Sequence, residues 1–205
     1  MSETPGERAL GFIGKMFDGM EGDARKPGSD MAAHMPVLYA LARRYAHLGP
    51  VVELGVNRGW STVALYLGVQ EQPGFDMVSY DHRAVCGDSL AKNLGVPRKH
   101  PSLSRWGFRV KDSVQAAADW KDGEVSLLFL DTSHILEHTR RELAAWVPKI
   151  HELGSIVGHD YLLEEYSGVP YGVKDAVDEI AAKHADRWRL QVFPDDCGLF
   201  FLRPR

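Results

Sequence analysis

From Val51 onward the chain alternates two hydrophobic rhythms. Short apolar-rich runs at Val51–Leu54, Met77–Asp81, Phe108–Asp112, Val125–Asp131 and Ser155–Asp160 read as strands. The unbroken run VSLLFLD fits a central strand covered on both faces. Between these runs, apolar residues recur three and four apart, which predicts helices over Ser61–Leu67, Asp88–Leu94, Ser113–Trp120, Leu136–Ile150 and Val173–His184. Pro148 is placed to kink or end the fourth of them early, and Gly154 closes that segment. Ahead of the first strand, Met35, Leu38, Leu41, Ala42 and Tyr45 mark a helix from Met31 to His47, stopped by Gly49-Pro50. Two closing strands, Trp188–Phe193 and Gly198–Leu202, are separated only by the four residues PDDC. A gap that short permits a hairpin but not a parallel crossover. The expected fold is a single α/β domain, doubly wound and Rossmann-like, with a mostly parallel seven-stranded sheet and a C-terminal antiparallel hairpin.

Composition narrows the class. The chain has 205 residues, 44% hydrophobic and 25% charged, with a formal net charge of −4. That length supports one domain with a real core and excludes collagen-like or wholly disordered readings. No dense Lys/Arg run appears, so nucleic acid is a disfavoured partner. Cys86 and Cys197 lie far apart without CxxC spacing, which gives neither a disulfide framework nor a thiolate zinc site. There is no signal-peptide pattern and no apolar run of roughly 18 residues, so the protein is expected to be cytoplasmic and free of the membrane. Residues 1–30 read as an arm or lid helix, with Leu10, Phe12, Ile13, Met16 and Phe17 able to close over substrate or form a homodimer contact; residues 31–205 form the main domain.

The chemistry gathers at strand ends. VVELGVNRGWST places Gly55 and Gly59 between the first strand and its helix, where Gly55 permits a tight turn and Gly59 a close ligand approach. The turn lacks the GxGxxG pattern of a dinucleotide dehydrogenase and the GK[ST] ending of a phosphate loop. Glu53 is a carboxylate inside an apolar strand, and needs donors or a cationic ligand end; hydrogen bonds from the neighbouring loop are the plainer alternative. Asp81 ends the second strand, where a carboxylate can hold ribose hydroxyls. Asp112, at the end of the third, is placed to meet an adenine amino group or to cap a helix. Asp131, His134, His159 and Asp160 follow strands four and five at the same sheet edge, a set able to bind a divalent ion or supply an acid–base pair.

Together ELGVNRG, SYD, KDS, the strand ending LD and the terminal hairpin resemble a class I S-adenosylmethionine-dependent methyltransferase over roughly residues 35–205. The resemblance implies that Glu53 and Gly55 line the cofactor pocket, with Gly59 and Ser61 near its methionine end. It implies further that Asp81 holds the ribose, that Asp112 and Ser113 flank the adenine, and that Asp131 also borders the cofactor. DxxH followed by an acidic pair is similar to the small-molecule O-methyltransferases that modify sugar or antibiotic hydroxyls. That likeness implies Mg²⁺ or another divalent metal on Asp131 and Asp160, with His159 as a third ligand, and His134 as general base. The chain departs from that subgroup at His159, where an acidic residue is usual. The expected function is transfer of a methyl group to a hydroxyl of a small molecule. A nicotinamide-dependent oxidoreductase, a cofactor-binding protein without catalysis and a nucleic-acid methylase are the rival readings.

Overall fold

The computed structural model describes residues 29–205, so the apolar cluster from Leu10 to Phe17 lies outside the described residues. A short 3-10 helix, Ser29–His34, leads into α1 (Met35–Tyr45). The alternation then runs β1 (Val51–Leu54), α2 (Trp60–Gln70), β2 (Met77–Asp81), α3 (Ser89–Leu94), β3 (Trp106–Val110), α4 (Ser113–Asp119), β4 (Val125–Leu130) and α5 (Leu136–Trp146). It ends with β5 (Ile150–Gly158), the short pair β6 (Glu165–Tyr166) and β7 (Val169–Pro170), α6 (Val173–Lys183), β8 (Trp188–Phe193) and β9 (Leu199–Pro204). Seven strands form one sheet in the order β3-β2-β1-β4-β5-β9-β8, with only β9 antiparallel to its neighbours. The expected architecture is the observed one. Because the order reverses between β1 and β4, a crevice opens beyond their carboxyl ends.

Apolar runs form the inner strands because helices cover both faces. Along β4 the side chains alternate: Leu127 and Phe129 pack with α1 and α2, while Leu128 and Leu130 pack with Trp146 and Trp188 on the other side. Every residue of β1 and β4 is buried. At the far end of α2, Arg105 donates to the carbonyl of Val69 in the last turn and to those of Gln72 and Phe75 beyond it.

Several boundaries differ from the sequence reading, each for a local reason. The third strand lies two residues earlier than Phe108–Asp112, since Trp106 pairs with Met77 and Asp112 leaves the sheet to cap α4. Pro148 sits in a 3-10 turn, Val147–Lys149, so α5 ends at Trp146. β5 begins at Ile150, and Gly154 lies inside it, at a register shift between Val125 and Leu127. The stretch from Tyr161 to Tyr171 carries the β6–β7 hairpin. Its turn residues Ser167 and Gly168 both have positive φ, 52° and 78°, the geometry a two-residue hairpin needs.

Candidate active site

The turn after β1 is fixed from behind. Gly55 has φ +89°, and a Cβ there would stand 1.8 Å from the Asp131 carbonyl oxygen, so β1 and β4 approach too closely for any side chain. Gly59, at φ +79°, has no room for a Cβ against the Ser89 side chain, which lets α2 pack on α3, and it also borders the cavity that Trp60 and Ser61 line. Glu53 has no exposed area. Its carboxylate accepts hydrogen bonds from Ser61 Oγ at 2.7 Å, Ser79 Oγ at 2.6 Å and Thr62 Oγ1 at 2.9 Å. Burial nonetheless pushes its carboxyl up to about 7, the three hydroxyl donors opposing that rise. The donors thus come from α2 and β2, and Glu53 braces the turn without lining the crevice.

Asp81 stands at the crevice floor. Its Oδ2 accepts from the Val56 and Asn57 amides, both at 3.1 Å, and its Oδ1 from the Arg83 amide at 2.8 Å. Burial alone would raise this carboxyl, but the Arg83 amide and guanidinium with the other two amides hold it down to about 2. Asp112 takes the capping role: its Oδ1 accepts from the Val114 and Gln115 amides, both at 3.0 Å. Replacing Asp112 by alanine is therefore expected to lower unfolding free energy by about 1 kcal/mol, with asparagine restoring most of it, as urea titration would read. Ser113 opens the same helix, its carbonyl held by Trp146 Nε1 at 3.0 Å.

Behind Ser113 lies a polar cluster that the sequence reading passed over. Glu142 is fully buried in α5, accepting from Thr132 Oγ1 at 2.8 Å, with His138 Nε2 3.2 Å from its other oxygen. The same His138 nitrogen is 3.2 Å from Ser113 Oγ. Glu142 raises the pKa of the His138 ring. The available signal was a carboxylate at i+4 from a histidine, on the helix face that also carries Leu143 and Trp146.

At the other side of the crevice Asp131, His134 and Asp160 converge, their ligand atoms all within 4.8 Å of one another. His134 Nε2 bridges Asp131 Oδ1 and Asp160 Oδ2, each at 2.9 Å. Burial works against a charged ring, yet the two carboxylates prevail and push His134 up to about 10. Burial likewise opposes ionised Asp160, and His134 and His159 hold its carboxyl well below the usual range. Both His134 and Asp160 adopt positive φ, 60° and 58°, an arrangement kept by their surroundings. Tyr171 stacks on the His134 ring at 4.6 Å, and the Gly172 amide donates to the His134 carbonyl at 2.9 Å. His159 stands behind: its Nδ1 is 3.3 Å from Asp160 Oδ1 and its ring packs edge-on against His34. The convergent third group is thus His134, where the sequence reading put His159.

Two cavities meet here. One of about 330 Å³ is bounded by Gly55, Asp81, Asp112, Ser113 and His138. The other, about 390 Å³, is bounded by Trp60, Ser61, Asp160, Tyr166 and Tyr171. Asn57, Asp131 and His134 border both, so an elongated ligand lying from one to the other passes the carboxylate–imidazole group.

Sheet order, crevice and polar strand ends define a Rossmann-like α/β domain with a ligand site at its switch point. Residues 52–161, more than half of the chain, match the family described as "Methyltransferase domain", and the chain belongs to that family. No curated protein matches the sequence. Among solved structures, an O-methyltransferase from Bacillus cereus in complex with SAH is similar at 15% identity and TM-score 0.68, covering 97% of this chain and 91% of that one. The SAH-bound methyltransferase PaMTH1 from Podospora anserina has 15% identity and TM-score 0.66, covering 95% and 88%. The O-methyltransferase NovP has 21% identity and TM-score 0.62, covering 87% and 81%. At these identities the likenesses establish the fold. Membership of the methyltransferase family displaces the nicotinamide reading. Among the described residues, no helix is long and apolar enough to cross a membrane.

Proposed function

We propose that this methyltransferase domain binds S-adenosylmethionine and transfers its methyl group to a hydroxyl oxygen of a small cytoplasmic metabolite, a sugar or antibiotic alcohol. The observation that carries this reading is the convergence of Asp131, His134 and Asp160 where the two cavities join. The cavity beside Asp81 and Ser113 suits the adenosine end, and the one beside Trp60 and Ser61 suits the methionine end and the acceptor.

In the reaction the acceptor oxygen attacks the methyl carbon, the sulfur–methyl bond breaks, and a neutral thioether leaves. An alcohol is a poor nucleophile until its proton is taken, so the site must accept that proton while holding oxygen and methyl carbon in line. Asp131 and Asp160 are two carboxylates that would hold a divalent ion such as Mg²⁺, leaving His134 Nε2 as the base; when bound, such an ion would supply positive charge that lowers the hydroxyl's pKa. His134 keeps its proton while both carboxylates face it. Drawing those carboxylates away returns the ring toward the ordinary imidazole range, where Nε2 accepts the hydroxyl proton near neutrality. Tyr171, stacked on the ring, keeps it aimed and shields it from water.

Calorimetric titration with S-adenosylmethionine and SAH, in Mg²⁺, in Mn²⁺ and in EDTA, tests the cofactor first. Labelled-methyl transfer to a panel of sugars and phenols then tests the reaction. Binding with transfer to an alcohol upholds the reading. Binding with no transfer to any acceptor favours a cofactor-binding protein without catalysis, and no binding removes the proposal.

A further inference from the structure

We propose that a groove along the last two strands, away from the crevice, binds an amphipathic anion: an alkyl or aryl body ending in a phosphate or carboxylate. The groove shares no lining residue with either cavity of the candidate active site, so this inference stands or falls apart from the S-adenosylmethionine reading.

β8 is the edge strand of the sheet, and β9 is its neighbour. On the face packed by α1, Phe201 is buried against the Tyr45 ring, while Phe193 is only partly covered. Between the end of α1 and these strands lies a cavity of about 590 Å³. Tyr45, Leu153, Phe193 and Phe201 form its apolar wall, and Leu153 is 54% exposed there. A concave apolar wall of this kind gains when the apolar part of a ligand displaces its water.

The rest of the lining is cationic. Arg44, Arg203 and Arg205 border the cavity, and no Asp or Glu is among the described residues that line it. Even counting the α-carboxylate of Arg205, positive charge exceeds negative on this lining. Elsewhere Arg43, Arg83, Arg98, Arg105, Arg109 and Arg140 each meet a carboxylate side chain. Strand register adds a further cation, because Arg189 of β8 stands directly opposite Arg203 of β9 on the same sheet face. Like charges so placed repel each other. The Nε of Arg203 is moreover buried without a hydrogen-bond partner, which is costly for a charged donor. An anion in the groove relieves the repulsion and offers oxygens to guanidinium groups, whose planar fork fits phosphate and carboxylate alike. Inorganic phosphate alone would leave the apolar wall wet, and a neutral hydrocarbon would leave the arginines unmatched. The ligand that answers both halves of the groove is an anion with an apolar body.

The test is calorimetric titration of the wild-type chain with octyl phosphate, octanoate, inorganic phosphate and the neutral octyl glucoside, each below its micelle-forming concentration. One-to-one binding of octyl phosphate or octanoate is expected, at least about tenfold tighter than inorganic phosphate or octyl glucoside. The tighter of the two anionic probes identifies the head group. Leu153→Glu sets a carboxylate among the arginines at an exposed position and is expected to weaken that binding at least about tenfold. Arg203→Met is expected to cost about tenfold, and the exposed Arg44→Gln about threefold. Urea midpoints check that each variant is folded; should Arg203→Met fail to fold, the two exposed variants carry the test. Octyl glucoside or inorganic phosphate binding as tightly as the anionic amphiphiles overturns the inference. So does the absence of binding by both anionic probes, or an affinity that Leu153→Glu leaves unchanged. A chain that binds neither probe and sediments as a dimer, split by Leu153→Glu, overturns it in favour of a second copy on this face.

Discussion

Replacing Asp160 by asparagine is expected to lower methyl transfer by about a thousandfold at saturating cofactor and acceptor, the few kcal/mol of charge stabilisation that a bound divalent ion would supply. The substitution keeps side-chain volume and a residue type that tolerates the observed φ of +58°, so the backbone has no reason to move. It removes one of the two anionic oxygens on His134, and with it one of the two carboxylate donors that fit a divalent ion. Binding of SAH is expected to fall far less, within about tenfold, because its adenosine end lies in the cavity at Asp81, which Asp160 does not border. Transfer and binding should therefore separate. A loss of less than tenfold in transfer, measured with labelled methyl groups, would mean that transfer needs no cation held at Asp160. Equal losses in transfer and SAH affinity would mean that Asp160 shapes the cofactor pocket instead.

Period and punctuation made the sheet legible in the sequence: VSLLFLD could only be a doubly covered strand, and PDDC could only join a hairpin. Asp81 and Asp131 were found because a carboxylate at the end of a parallel strand has one place to go. What escaped was set by side-chain direction and by helix faces. Asp112 is one residue past Lys111, whose amide makes the last link to Asp81, so it leaves the strand the sequence placed it on and takes the helix cap that the sequence offered as an alternative. His134 and His159 are equally histidines in sequence, but a left-handed backbone at His134 swings its ring between two carboxylates, while His159 turns back toward His34. Glu142 was not singled out in the sequence. Only the packing of α5 against α4 shows that it is sealed inside.

The positive-φ residues make a related point. Asn57, His134 and Asp160 share that conformation, and all three border the second cavity. Backbone strain of this kind persists only where surroundings fix it. Here the fixing contacts are the Asp81 carboxylate on the Asn57 amide, the Gly172 amide on the His134 carbonyl, and His134 itself on Asp160. The chain thus holds its reactive groups through turn geometry set by neighbouring elements.

Glu53 is expected to give the protein a stability that falls as pH rises through neutrality. Its folded carboxyl titrates at about 7 against an ordinary 4.5, because burial disfavours the anion more than three hydroxyls favour it. Below about pH 4.5 the side chain is protonated whether folded or not, and it imposes no penalty. Between about 4.5 and 7 the unfolded chain ionises while the folded one keeps its proton, so the folded state loses ground with each rise in pH. Above that window the penalty is complete, at about 3 kcal/mol. That is a large share of the roughly 5–15 kcal/mol that holds a domain together. Glu53→Gln has no proton to lose. Its unfolding free energy relative to wild type is therefore expected to improve by about 3 kcal/mol between pH 4.5 and pH 8, measured by urea titration at both ends. Taking the difference between the two proteins cancels the opposite trend from Asp81, whose depressed carboxyl adds stability above about pH 3.8 and loses it toward about 2. Glu53→Ala serves as the contrast: it strips the acceptor from Ser61, Thr62 and Ser79 at once and is expected to destabilise at every pH. A wild-type-to-glutamine difference that stays constant from pH 4.5 to 8 would show that Glu53 is ionised throughout, its three hydroxyls sufficient to hold a buried charge.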